Sequence, residues 1–167
     1  GGSWSTNGVI LFAPDVQGPL FQIAANGGKA QPVVQAPLAP SYSWPAFLPD
    51  GRHFLFLVPG TEGAGSRLYA GALNSRTPTP VLDRVYGMAA YSADHLLFVR
   101  EGTLLAQPFS SGQLRTTGSA VPVVEHEFSA SFEPSSTTSV ADGGWTFARR
   151  ASTFGRCAAA LYAGTST

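Results

Sequence analysis

Every forty-odd residues this chain returns to the same short phrase. An Asn or Asp stands at Asn7, Asp50, Asp94 and Asp142, inside WSTNGVILFAP, FLPDGRHFLFLV, YSADHLLFVRE and SVADGGWTFARR, at spacings of 43, 44 and 48 residues. Such a recurrence constrains the fold more than any single motif, because each copy must be one supersecondary unit that buries its apolar faces against its neighbours. Gly follows in three of the four copies, and Asn-Gly or Asp-Gly supplies the φ > 0 positions that tight hairpin turns need. The third copy has His95 in place of Gly, which predicts a looser turn there.

The segment after each turn also recurs. The runs at 9–13 (VILFA), 53–58 (HFLFLV), 95–99 (HLLFV) and 145–148 (WTFA) are short, apolar and rich in β-branched and aromatic residues, the pattern of a strand covered on both faces. A third strand is expected at 19–25, 66–73, 102–109 and 159–166, and a fourth at 30–35 (AQPVVQ), 78–83 (PTPVLD) and 120–125 (AVPVVE). No stretch reads as a long amphipathic helix, and the 13 prolines and 19 glycines are spread along the chain rather than gathered into linkers. Four short strands per unit of about 43 residues is the arithmetic of a β-propeller blade. The expected fold is therefore all-β, about three and a half four-stranded blades, with units at 1–38, 39–84, 85–127 and an incomplete one at 128–167.

The phrases GGSWSTNGVILFAP, WPAFLPDGRHFLFLV, LLFVREGTLLAQPF and AVPVVE resemble the WD40-like, TolB-type β-propeller repeats. They resemble above all the propeller regions that soil bacteria, acidobacteria among them, fuse to serine/threonine protein kinases. The resemblance covers residues 1 to 128; beyond them SVADGGWTFARR keeps the turn-and-strand pattern, and ASTFGRCAAALYAGTST departs from it. It implies a non-catalytic binding, sensing or protein-interaction scaffold within a larger bacterial protein such as a serine/threonine kinase, holding a protein, peptide or small ligand at the propeller face. The alternatives are a propeller gating a serine oligopeptidase, part of a quinoprotein dehydrogenase or lyase, or a TolB-like periplasmic partner. An extracytoplasmic location is implied by the kinase-fusion or TolB-like resemblance. Propellers close with about four to eight blades, so the chain is expected to be a fragment of a larger ring or to self-associate through its open edge.

Net charge is zero, from ten Lys plus Arg and ten Asp plus Glu with no run of either sign, so neither nucleic acid nor an anionic membrane is expected as a partner. No apolar run approaches the ~18 residues of a membrane span, so no membrane insertion by this segment is expected. A single cysteine, Cys157, precludes an intramolecular disulfide and a cysteine-rich metal site within these residues; it reads as a small buried hydrophobe.

No catalytic, cofactor-binding or metal-binding residue is assigned. No serine sits in Gly-x-Ser-x-Gly, and HEFSA at 126–130 starts like His-Glu-x-x-His but ends in Ala130. The glycine-rich 59–69 (PGTEGAGSRLY) lacks the Gly-Lys-[Ser/Thr] ending of a phosphate loop and reads as the connection between second and third strands. His53 and His95 stand just after the recurrent turn, where hydrogen bonding to that turn is expected; His126 follows a fourth strand. Asp50 and Asp142 read as Asx-type turn residues, with a carboxylate ring on one propeller face as the functional alternative. Trp4, Trp44 and Trp145 are read as packing aromatics between units rather than sugar-stacking platforms.

Overall fold

The computed structural model of the chain describes residues 1–15, 17–34, 41–61 and 63–124, all within one unit, Gly1–Ala130. The expectations for His126, the 126–130 segment, Asp142, Trp145, Cys157 and the unit at 128–167 lie outside the described residues. Strands β1 (Gly2–Trp4), β2 (Val9–Phe12), β3 (Phe21–Ala24) and β4 (Gln31–Pro32) pair in chain order as one four-stranded sheet. Strands β5 (Ser43–Phe47), β6 (His53–Val58), β7 (Ser66–Ala72) and the first part of β8 (Ser75–Ser92) repeat that order. The rest of β8 opens a third meander, pairing with β9 (His95–Arg100). Next comes β10 (Thr103–Ser110), whose far edge carries both β11 (Arg115–Thr116) and β12 (Val121–Val124). Every strand pairing is antiparallel, and the described residues contain no helix. The fold is all-β, as the repeat and the absence of a 3.6-residue period predict.

Strand β8 is 18 residues long because it serves two meanders. Val85 is the last residue paired to β7, opposite Ser66, and Tyr86 is the first paired to β9, opposite Val99. Arg84 and Gly87 take φ of 54° and 80° at the point of exchange, left-handed values that redirect a strand. The second and third meanders consequently stack rather than continue as a flat sheet. Leu55, Leu57, Leu68 and Ala70 from one, and Leu96, Phe98 and Phe109 from the other, form a single buried cluster. A second cluster joins Leu11, Leu20, Val33 and Val34 of the first meander to Phe54, Phe56 and Val58 of the second.

Strand β6 lies between these two clusters. Side chains alternate across a strand, so Phe54, Phe56 and Val58 face the first meander while Leu55 and Leu57 face the third. All five are at most 4% exposed, which is why His53–Val58 is a continuous apolar run rather than an alternating one.

The recurrent turns join first to second strands in all three meanders. Gly8 (φ 72°) and Gly51 (φ 63°) hold the left-handed positions of the first two, each closed by a backbone bond across the loop, Ser5 N to Val9 O and Leu48 N to His53 O, both 2.8 Å. The third turn is tighter than the sequence suggests, not looser. Ser92 pairs directly with His95, leaving a two-residue loop, and Ala93 and Asp94 both take positive φ, 46° and 59°. That is type I′ geometry reached without glycine, at a backbone cost that Asp tolerates and Ala does not favour.

Candidate functional site

Because the turns lie at the start of each second strand, His53 and His95 stand at one end of the stack and Val58 and Arg100 at the other. At the turn end, the Asp50 carboxylate accepts from the backbone amides of Arg52 and His53 at 3.0 and 2.9 Å and pairs with the His53 ring. Partial burial raises the Asp50 carboxyl, but the hydrogen bonds from His53 and Arg52 outweigh it and hold the group below its ordinary range. In the third meander Tyr91 donates its hydroxyl to Asp94 at 2.7 Å, while Nδ1 of His95 is 2.7 Å from the Ala93 carbonyl and donates to it. Burial, then the bond to Asp94, pushes the Tyr91 phenol above its ordinary range. These groups are spent on their own turns. The geometry is that of an Asx turn at Asp50.

The other end is more open. Two adjoining depressions of ≈ 580 and ≈ 490 Å³ share Asp83 and Arg84; Arg100 borders the first, and Arg67 with the 59–65 loop borders the second. Arg67 pairs with Asp83 at 3.3 Å and Arg84 with Glu101 at 3.4 Å. Arg100 donates Nη2 to the Asp83 carbonyl at 2.7 Å and stands over the Phe98 ring, 5.0 Å from its centre. Its Nε is buried without a hydrogen-bond partner, a donor whose desolvation is uncompensated. The glycine-rich loop joins β6 to β7 as expected and is held by Tyr86, which donates to the Gly63 carbonyl at 3.1 Å. Among the described residues, three guanidiniums and two carboxylates meet at or beside the groove.

No family model matches the chain, and no curated protein does. The chemistry of the groove therefore rests on its own residues. Both described carboxylates are engaged by arginines, and among the described residues neither depression is lined by a serine, cysteine or histidine. Among the described residues no three His, Cys, Asp or Glu side chains gather to hold a metal ion, and no helix is long and apolar enough to cross a membrane.

Two sequence readings need correction. Trp4 and Trp44 are not buried packing aromatics: they are 67% and 40% exposed, on β1 and at a bulge in β5. Trp44 takes φ 52° at that bulge. The charged groove was not anticipated, although a signal existed. Only 12% of the chain is charged, yet Asp83-Arg84 and Arg100-Glu101 put adjacent opposite charges within β8 and at the end of its neighbour β9.

Proposed function

We propose that this chain is a β-propeller segment acting as a non-catalytic binding scaffold, of the kind carried by larger bacterial proteins such as serine/threonine kinases. The observation that carries the reading is the contact between equivalent positions of the first and second meanders. β1 lies against β5, Phe47 N donates to Ser3 Oγ at 3.0 Å, and Asn7 Nδ2 reaches the Asp50 and Gly51 carbonyls at 3.5 and 3.4 Å. First strands that stay together while the faces stack are what a radial array requires, with the innermost strands around one axis. Loops at the ends of a rigid array are where such scaffolds hold their partners. The groove at Asp83, Arg84 and Arg100 suits a peptide that brings a carboxylate to its arginines, of which Arg67 and Arg84 are 64% and 66% exposed. The kinase connection and an extracytoplasmic location rest on the sequence resemblance.

Spin labels at Thr6→Cys, Pro49→Cys and Ala93→Cys, taken in pairs in a Cys157→Ser background and diluted with unlabelled chain, test the radial arrangement. In a ring of four to eight blades the outer pair is separated by about 1.4 to 1.85 times the neighbouring distance. A ratio of about 2 means a straight stack of repeats and removes the propeller. Peptides selected for binding to the chain should include a class with acidic residues that is lost on Arg100→Ala. If every binder survives that substitution, the groove is not the site.

A further inference from the structure

Two of the three asparagines in this chain stand before a glycine, Asn7-Gly8 and Asn26-Gly27, and both lie in the first meander. The third, Asn74, precedes Ser75 and accepts a hydrogen bond from Arg52 Nε at 3.4 Å. The two Asn-Gly turns are built alike. Each glycine is left-handed, with φ 72° at Gly8 and 95° at Gly27, and each glycine amide closes its turn on an earlier carbonyl, Ser5 at 3.1 Å and Ala24 at 2.9 Å. Both asparagines are exposed. The turns also adjoin, because the Ala25 amide donates to the Gly8 carbonyl at 2.7 Å. Local geometry therefore does not tell them apart.

What differs is the hold on the asparagine. Asn7 Nδ2 reaches the Asp50 and Gly51 carbonyls of the second meander at 3.5 and 3.4 Å, and the Asn7 backbone amide donates to the hydroxyl of buried Ser5 at 2.9 Å. The same side chain lies so close to Gly51 that a Cβ there would stand 2.8 Å from Nδ2. Asn26 makes no side-chain hydrogen bond among the described residues. It is followed by two glycines, and a Cβ on either would meet nothing within 4 Å.

Asparagine is one of the thermolabile residues of proteins, and glycine after it exposes the reason. The glycine amide nitrogen, deprotonated by solvent base, attacks the asparagine Cγ; the new N–Cγ bond closes a cyclic imide, and the side-chain nitrogen leaves as ammonia. Water then opens the imide at either carbonyl, leaving aspartate or isoaspartate. Glycine has no Cβ to obstruct the attack and rotates freely. Ring closure needs Cγ to swing onto the following nitrogen, so a side chain tied elsewhere reacts only when its ties open.

We infer that Asn26-Gly27 is a site of spontaneous deamidation, and that Asn7-Gly8 is held back from the same reaction by its contact with the Asp50-Gly51 turn. The consequences differ as well. A carboxylate in place of the Asn7 amide would face the Asp50 and Gly51 carbonyl oxygens with no proton to donate, and this contact between the first and second meanders would be lost. Conversion of Asn26 adds a charge to an exposed loop that also carries Lys29, and it breaks no side-chain bond among the described residues. Conversion at Asn7 thus follows separation of the two turns and reports it.

The full chain, incubated in mildly alkaline buffer and sampled over time, tests this by peptide mass spectrometry. Both asparagines fall in the tryptic peptide 1–29, and fragment ions assign the conversion to one or the other. In the folded chain Asn26 should convert about fivefold or more faster than Asn7, the factor that one or two net hydrogen bonds supply. In guanidinium chloride the two rates should draw together. In Gly51→Ala, whose methyl displaces the Asn7 side chain, Asn7 should convert faster than in wild type, with circular dichroism checking the fold; if that variant does not fold, the denaturant comparison decides. A folded chain in which Asn7 keeps pace with Asn26 overturns the guard. So does a rate ratio that denaturant leaves unchanged, which would trace the difference to the flanking residues, or a folded Gly51→Ala with the wild-type rate at Asn7. An Asn26 that stays intact in the folded chain while converting in denaturant overturns the site itself.

Discussion

Gly51 is where turn chemistry and contact between meanders can be separated by experiment. Its φ of 63° is left-handed, and a Cβ added there would meet Asn7 Nδ2 at 2.8 Å, Thr6 Oγ1 at 2.9 Å and Asn7 Cγ at 3.3 Å. Gly8, in the equivalent turn of the first meander, has φ 72° and nothing within 4 Å of the same position. Gly8→Ala therefore reads the backbone cost alone, about 1 kcal/mol. Gly51→Ala adds displacement of the Asn7 and Thr6 side chains, which costs about 1 kcal/mol more by the usual scale of overpacking. It also strains the long Asn7 bonds to Asp50 and Gly51. The total is about 2 to 3 kcal/mol, a sizeable share of the 5 to 15 kcal/mol typical of a domain. Urea unfolding of both variants, and of Gly51→Ala combined with Asn7→Ala, measures the difference. Removing the Asn7 side chain makes room for the new methyl, so the double variant should be about 0.5 to 1 kcal/mol more stable than the sum of single effects predicts. Equal losses at Gly8 and Gly51, with strict additivity, would refute the contact between successive turns; no loss at either would refute the turns themselves.

Two further substitutions probe the rest of the frame. The Asp50 carboxyl is depressed in the fold, so the stability it contributes is fully present above its ordinary value of 3.8 and is lost as pH falls through the lower folded value. Urea midpoints of wild type and Asp50→Asn should therefore converge on acidification, and a constant gap down to strongly acidic pH would show that the carboxylate charge contributes nothing. Phe56 is fully buried, with ring centres of Tyr42, Phe54 and Tyr69 between 5.6 and 5.9 Å away. Phe56→Ala should cost about 3 to 5 kcal/mol and lower the thermal midpoint accordingly. A loss below about 1 kcal/mol would mean that the first and second meanders are not packed through β6.

The sequence was most readable where one residue's backbone preference and one strand's period agree. HFLFLV at 53–58 is β6 to the residue because the run is bounded by Asp50-Gly51 and by Pro59-Gly60, and both of its faces are covered. The Ala93-Asp94 turn was misjudged because a missing glycine reads as slack, whereas pairing of Ser92 with His95 imposes the two-residue loop from outside. Fourth strands were placed correctly but not their extent. Only Gln31–Pro32 pairs in the first meander, while in the second the strand runs on unbroken into the next unit as β8. Such continuity depends on how two sheets stack, which no local pattern encodes. Trp4 was misplaced for a related reason, since an aromatic on a first strand is buried only if a neighbouring meander lies over it; Trp44 was misplaced because it falls at the bulge in β5, with φ 52°. The groove was missed because its charges come from three strands, β7, β8 and β9, and meet only once these are paired.

Edges and faces are protected differently among the described residues. Strand edges invite addition of another chain's backbone, and proline, which lacks the amide donor, is a common guard against it. Pro32 in β4, Pro78 and Pro80 in β8, and Pro122 in β12 all fall on fourth strands, whose outer edges have no partner strand over those residues among the described ones. The recurring Pro-Val and Pro-Thr-Pro-Val phrases are thus physically legible as edge guards repeated with the fold. No comparable guard covers the outward faces. The free side of the first meander carries Trp4, Ile10, Phe12, Phe21 and Ile23, and that of the third carries Leu97, Val99, Leu104 and Ala106, without a Lys, Arg, Asp or Glu among them. In a repeat array that ends in solvent, the terminal units need polar outer faces. Here edge pairing is discouraged and face stacking is not. Faces of this kind are what a neighbouring repeat covers, as the second meander covers Leu11 of the first and Leu96 of the third.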